Sequence, residues 1–428
     1  MTLLKFFRLP STAPSVFGVI FALLSAALPL ISLGNSKAIV PAAIMAALLL
    51  SVAAYKNRTL VRVRYFDPVI LCGLAAYFLA AVIASVQGGA TPMEAVSLGK
   101  LFGIIVLAAL LFPLRTSLTD EDIPWVAYAL IAALLGTMAW IAGYVLYEKL
   151  MRLIGSDPSR YSDDYFIRIQ LYGYFWFKSA SAVLALFSLV AGIYLHRAGK
   201  PLFAIALAAC SVAICYWIGS RTASFGLIAA LFAGVAYQFI GKHRLKLTLG
   251  VLALAFLLPV WMNVSDLKPE QISAQLSPQN SGSISVVYRL YIWDFVAGKI
   301  AEKPFSGWGA GASKRVGTDA AGILTDPRFG EFGEPIPIHP HNAVLQVWLE
   351  FGFFGALFIY VLIARGLIIA ERHIHTPVQR IWVFASGALI GCFFGFSFSI
   401  ASSWWLVTVI VAVVLAAVFA RPARGATA

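Results

Sequence analysis

Apolar runs, each long enough to cross about 30 Å of hydrocarbon as a helix, constrain this chain more than any other feature. They fall at roughly 13–33, 38–54, 68–86, 98–114, 123–147, 174–195, 201–218, 222–240, 247–264, 343–370, 379–400 and 402–420. The reading is an all-α integral membrane protein with about twelve transmembrane helices. Composition agrees: 61% of residues are hydrophobic and only 12% charged, with a mean hydropathy of +0.86, far from the soluble balance of about a quarter charged.

A net charge of +13 would suggest nucleic acid in a soluble protein. Here the basic residues sit in short connections between runs, so nucleic acid is excluded as a partner. Numbering the connections alternately collects Lys5, Arg8, Lys56, Arg58, Arg115, Arg197, Lys242, Arg244, Arg372, Arg380 and Arg421 on one side. That side is expected to be cytoplasmic and to hold both termini. Run 13–33 follows Lys5 and Arg8 and reads as an uncleaved first helix rather than a leader. Cys72, Cys210, Cys215 and Cys392 all lie inside apolar runs, with no ligand spacing.

The opposite, external side carries the long connections, 148–173 and 265–340. Both are expected to form a cap on one polytopic membrane domain spanning 1–428. In the second, Ile284, Val287, Tyr291, Phe295 and Ile300 predict an amphipathic helix lying along the interface. Pro304, Gly307, Gly309, Gly311 and Gly317 then predict a flexible loop.

The stretch Ile338–Gly355 is where this polar segment re-enters the membrane. Pro340 suits the first turn of a helix, which places His341 in that turn, where the helix dipole favours a neutral imidazole able to accept a proton. His339 falls outside the helix. A plain interfacial capping pair is the alternative reading. Arg221, at the external tip of a tight hairpin, runs against the charge bias; it either snorkels to lipid headgroups or binds an anionic substrate. Arg289, on the amphipathic helix with Trp293 one turn on, is either an interfacial anchor or a second anion ligand. External acids are dispersed, without Asp-x-Asp or His-x-x-x-His, so no metal site is read and no cofactor is expected.

Together, Ser220-Arg221-Thr222-Ala223, the Arg289–Trp293 pair, Pro304-Phe305 leading into Gly307, Gly309 and Gly311, and His341-Asn342 followed by Leu345, Glu350, Gly352 and Gly355 form a pattern. It resembles the O-antigen ligase family, which includes O-antigen polymerases; the motifs cover about 215–356, and the first half matches only in topology. The resemblance implies a type C-like membrane glycosyltransferase of the bacterial inner membrane. Such an enzyme transfers a preassembled glycan from undecaprenyl diphosphate to a lipid A-core hydroxyl on the periplasmic face, with inversion and without a metal. It implies His341 as the base and Arg221 and Arg289 as diphosphate ligands, with His339, Asn342, Trp293 and Glu350 in support. A polymerase of the same superfamily is the nearest alternative. A lipid-linked glycan transporter is more remote, because the middles of the runs are apolar and Lys178 lies near a run's end.

Overall fold

The computed structural model describes residues 12–56, isolated helical positions between 75 and 86, and 92–153, 163–265, 268–278, 281–320, 322–374 and 376–421. In chain order its main helices are α1 (Val16–Ser32), α2 (Ile39–Lys56), α3 (Pro92–Leu114), α4 (Asp122–Leu153), α5 (Asp163–Arg197), α6 (Pro201–Trp217), α7 (Arg221–Phe239), α8 (Arg244–Phe256), α9 (Leu258–Val264), α10 (Pro269–Ser273), α11 (Ser281–Glu302), α12 (Ser313–Asp319), α13 (Ala343–His373), α14 (Pro377–Phe396) and α15 (Ser403–Phe419). A two-stranded antiparallel hairpin, β1 (Leu324–Asp326) and β2 (Gly330–Gly333), lies between α12 and α13.

Among the described residues seven helices are long and apolar enough to cross a membrane, or eight if α8 and α9, bent by 51°, form one broken span. Helices α1, α6 and α15 are apolar but shorter, at 17 residues each. The architecture is that of an all-α integral membrane protein, and the third expected run, 68–86, lies largely outside the described residues. Local signals account for the helix starts. Ser15 caps α1 by accepting from the Gly18 N–H, and Thr376 caps α14 by accepting from Gln379. Each satisfies an N–H that the first turn leaves without a helical partner. The α6–α7 turn needs Gly219, whose φ of +76° is a left-handed conformation that side chains resist.

Helix α5 is the centre of the bundle, with 89% of its apolar window buried against other helices. It packs on α6, α14, α15 and α4. Small residues permit close approach: a Cβ at Gly192 would lie 2.5 Å from the Trp382 ring, and one at Gly234 2.4 Å from the Ile381 carbonyl. A second cluster joins α11, α12 and the start of α13 through Ile292, Val296, Val316, Ile336, Leu345 and Leu349. It seats the amphipathic helix on the membrane-spanning part.

Three expectations are corrected. The connection at 148–173 is narrower, because α4 continues to Leu153 and α5 already starts at Asp163; Asp157 and Arg160 between them lie outside the described residues. The loop expected to be flexible from Pro304 is pinned into a break in α13, as described below, and Gly317 belongs to α12. The helix predicted at 343–370 is interrupted at Gly352, where φ is 63° and ψ −161°.

Candidate active site

Where α13 begins decides the geometry of the histidine pair. Asn342, not Pro340, sets the start: its side-chain oxygen accepts from Val344 N at 2.9 Å and Leu345 N at 3.1 Å. A side chain that satisfies two free N–H groups outcompetes a proline that satisfies none. His341 therefore precedes the cap instead of sitting in the first turn. Its φ is 56°, and among the described residues it is the one non-glycine with positive φ. Such a conformation costs about 1–2 kcal/mol. Strain of this kind gathers at functional sites.

Neighbours hold the strained segment in place. The His341 N–H donates to His339 Nδ1 at 3.1 Å, and the two rings lie 4.3 Å apart between centroids. Trp293 Nε1 donates to the Pro340 carbonyl at 2.9 Å, tying α11 to the segment one turn beyond Arg289. The His341 ring is bonded to the Ser397 backbone. Because the Ser397 N–H already donates to the Phe393 carbonyl, the ring nitrogen is the donor there and the Ser397 carbonyl the acceptor. His341 Nδ1 is buried with no hydrogen-bond partner among the described residues.

The charges that act on this pair are Lys178 of α5 and Arg289 of α11. Burial is the main cause, and the two cations add to it, pushing His341 down to about 4 against the opposing Ser397 carbonyl. Burial, His341, Lys178 and Arg289 together push His339 down to about 3. Both rings are uncharged at neutral pH, and the Nδ1 of His341 takes no hydrogen bond from any described group.

A buried polar network braces the floor of the site. Glu350 Oε1 accepts from Ser313 Oγ at 2.6 Å and Gln346 Nε2 at 2.9 Å, while Oε2 accepts from Gly311 N at 2.9 Å. Gln346 Oε1 in turn accepts from Ser399 Oγ at 2.9 Å and Ile400 N at 3.1 Å, in the same α14–α15 turn whose Ser397 holds His341. The 304–311 loop occupies the break in α13: Trp308 N donates to the Leu349 carbonyl, Gly309 N to Glu350, and Phe353 N to Pro304, at 2.8, 2.9 and 2.8 Å. A Cβ at Gly352 would lie 2.2 Å from the Phe305 carbonyl, so backbone approach as well as φ requires glycine.

The structure thus brings together His339, His341, Arg289 and Trp293, with Asn342 setting their height and Glu350 buried beneath. Arg221 stands apart. It is exposed at the start of α7 and is not among the charges acting on the histidines. Ser220 before it does bond Ser181 of α5, Oγ to Oγ at 2.7 Å, so it stands one helical turn along from Lys178. Among the described residues no group of three or more His, Cys, Asp or Glu side chains is placed to hold a metal ion.

Residues 203–360 match the family model described as O-antigen ligase. This stretch, a little over a third of the chain, is similar to the O-antigen ligase family. The matched stretch runs from α6 into α13 and contains Arg221, Arg289, His339, His341 and Glu350; Lys178 and the 397–400 turn lie outside it. Provisionally named polysaccharide ligases of Rickettsia typhi and Rickettsia felis are each 27% identical, over 59% of this chain and 60% of their own length. One from Rickettsia prowazekii is 31% identical over 35% of this chain and 38% of its own. The chain therefore aligns with at most about three-fifths of these relatives. Sequence reasoning missed Lys178, Gln346 and the Ser397–Ile400 turn. Only Lys178 left a signal, a lysine inside an apolar run.

Proposed function

We propose that this protein is an O-antigen ligase-like glycosyltransferase of the bacterial inner membrane. It moves a preassembled glycan from undecaprenyl diphosphate to a sugar hydroxyl of lipid A-core at the periplasmic face. The observation that carries the reading is His341, a strained, half-buried and neutral imidazole with an unpartnered Nδ1, acted on by two cations. In this reading the chain is one polytopic domain of about twelve spans, capped by its external connections. Both termini are cytoplasmic, in line with the basic residues on one side of the bundle.

Chemistry follows from the parts. The acceptor hydroxyl gives its proton to the His341 imidazole as its oxygen bonds the anomeric carbon. The bond from that carbon to the diphosphate oxygen breaks, and its electron pair stays on the leaving diphosphate. A single displacement of this kind inverts the anomeric centre. A placed base contributes roughly 10²–10⁴ in rate, and fixed guanidinium groups at Arg289 and Arg221 favour the leaving anion more in the transition state than before. An imidazole near pKa 4 is a weak base. Binding the diphosphate offsets the cations that help depress it, so donor binding strengthens the base before the acceptor is attacked.

The test is transfer by the purified protein in liposomes supplied with lipid-linked glycan and lipid A-core. Core bearing the glycan supports the ligase reading. Elongated lipid-linked chains on untouched core assign the protein as a polymerase instead, and movement of donor across the bilayer with no transfer makes it a transporter.

A further inference from the structure

Within the apolar run 174–195, Lys178 is the only Asp, Glu, Lys, Arg or His. A lysine in a membrane-spanning helix is costly unless it has a partner or a task. Among the described residues the charge that acts on Lys178 is another cation, Arg289. Nor is the neighbouring buried carboxylate open to it: Glu350 is filled by Ser313, Gln346 and Gly311. The side chain is directed at the site, with Nζ 5.7 Å from the centroid of the Phe398 ring, in the turn whose Ser397 carbonyl holds His341. One helical turn along α5, Ser181 is bonded to Ser220, next to Arg221. Lys178 therefore joins the Arg289–His341 pair from a third element, and the same helix reaches the α7 tip through Ser181 and Ser220.

Counting charge suggests its task. The donor diphosphate is esterified at both ends and has one ionised oxygen on each phosphorus. When the bond from anomeric carbon to oxygen breaks, the electron pair remains on the terminal phosphate, which gains a further negative charge, while the proton from the acceptor rests on His341. The arginines can match the donor's charges, and the imidazolium formed at His341 lies on the acceptor side of the anomeric carbon, opposite the leaving group, which leaves the newly formed charge without a cation beside it. We propose that Lys178 is a ligand of the departing lipid diphosphate and meets the charge that appears as the glycosidic bond breaks. This rests on the glycan-transfer reading above.

Its signature is a split between kinetic constants. In proteoliposomes Lys178→Gln lowers kcat by about 10- to 100-fold, the span of one charge-assisted hydrogen bond, with donor KM moved less than about 3-fold. Lys178→Arg recovers most of the loss, and Lys178→Met, better suited to an apolar helix, guards against a folding defect. Direct binding of undecaprenyl diphosphate to the full chain in nanodiscs weakens by a similar factor in Lys178→Gln. Unchanged kcat and unchanged binding overturn the role of Lys178, as does a rise in KM with kcat intact. A wild-type protein that binds undecaprenyl diphosphate but transfers no glycan overturns the transfer reading instead, and the binding arm then still decides whether Lys178 holds the diphosphate.

Discussion

The two ends of the helix bundle treat positive charge in opposite ways. At the end where α7 finishes and α14 begins, Arg244 Nη2 meets Glu371 Oε1 at 2.6 Å, Arg380 Nε lies 3.5 Å from the same oxygen, and Tyr237 donates to Oε2 at 3.1 Å. Nearby, Arg421 donates to the Leu118 and Arg115 carbonyls. Those cations are occupied by the protein itself. At the other end, the charges acting on His339 and His341 are Lys178 and Arg289, and the carboxylate close by, Glu350, is taken up by neutral donors. Cations that pair with a carboxylate serve stability, whereas Lys178 and Arg289 act on neutral histidines, where the proposed function puts the donor diphosphate.

Substitutions can break this contrast. Glu350→Ala should have the largest effect, leaving the Ser313 hydroxyl, the Gln346 amide and the Gly311 N–H buried without an acceptor. At about 1–3 kcal/mol for each unsatisfied group, a loss of roughly 4 kcal/mol is expected, read as a lowered thermal midpoint in detergent together with lost transfer. A midpoint close to wild type would mean that the network does not brace the site.

The next largest effect is a paired comparison. Arg289→Gln should cut transfer by about 10- to 100-fold and leave the thermal midpoint near wild type, while Arg244→Gln should cost stability of about 1 kcal/mol for a partly exposed pair and leave transfer intact. If the two variants behave alike, the ends do not differ in purpose.

Acidity gives the smallest and most graded effect. Because the folded histidines sit at about 3 and 4 and an unfolded histidine near 6.5, the unfolded chain binds more protons between those values. Their contribution to stability is therefore present above pH 6.5 and lost as pH falls toward 4. The acid limb of kcat/KM, which reports the free enzyme, should lie near pH 4, and that of kcat should move upward once bound diphosphate offsets the cations. Coincident limbs at 6.5 would place His341 in an ordinary solvated setting.

How much of this was legible before the structure varies with the range of the interaction. Apolar runs report their own environment, so among the described residues helices appear where the runs predict them, with breaks at Leu257 and Gly352, and the amphipathic pattern at 284–301 corresponds to Ser281–Glu302. Histidine and arginine chemistry was legible as residue type and placement. The start of α13 was not, because Asn342 and Pro340 both signal a helix start and only the hydrogen bonds to Val344 and Leu345 decide between them. Gly352 reads as one more small residue in a span; its break depends on the 304–311 loop, brought in from about forty residues upstream. Lys178 was dismissed as the end of a span, since its relation to His341 is made by the packing of α5 against α14 and α15, which hydropathy does not record.

The central claim is that His341 takes the acceptor proton at the end of the bundle where Lys178 and Arg289 act on it. Glycan transfer by His341→Ala in proteoliposomes, with folding verified by an unchanged thermal midpoint, tests it most directly. The account predicts a fall of about 10²-fold or more in kcat with undecaprenyl diphosphate still bound. Transfer at the wild-type rate by a folded His341→Ala protein would contradict it.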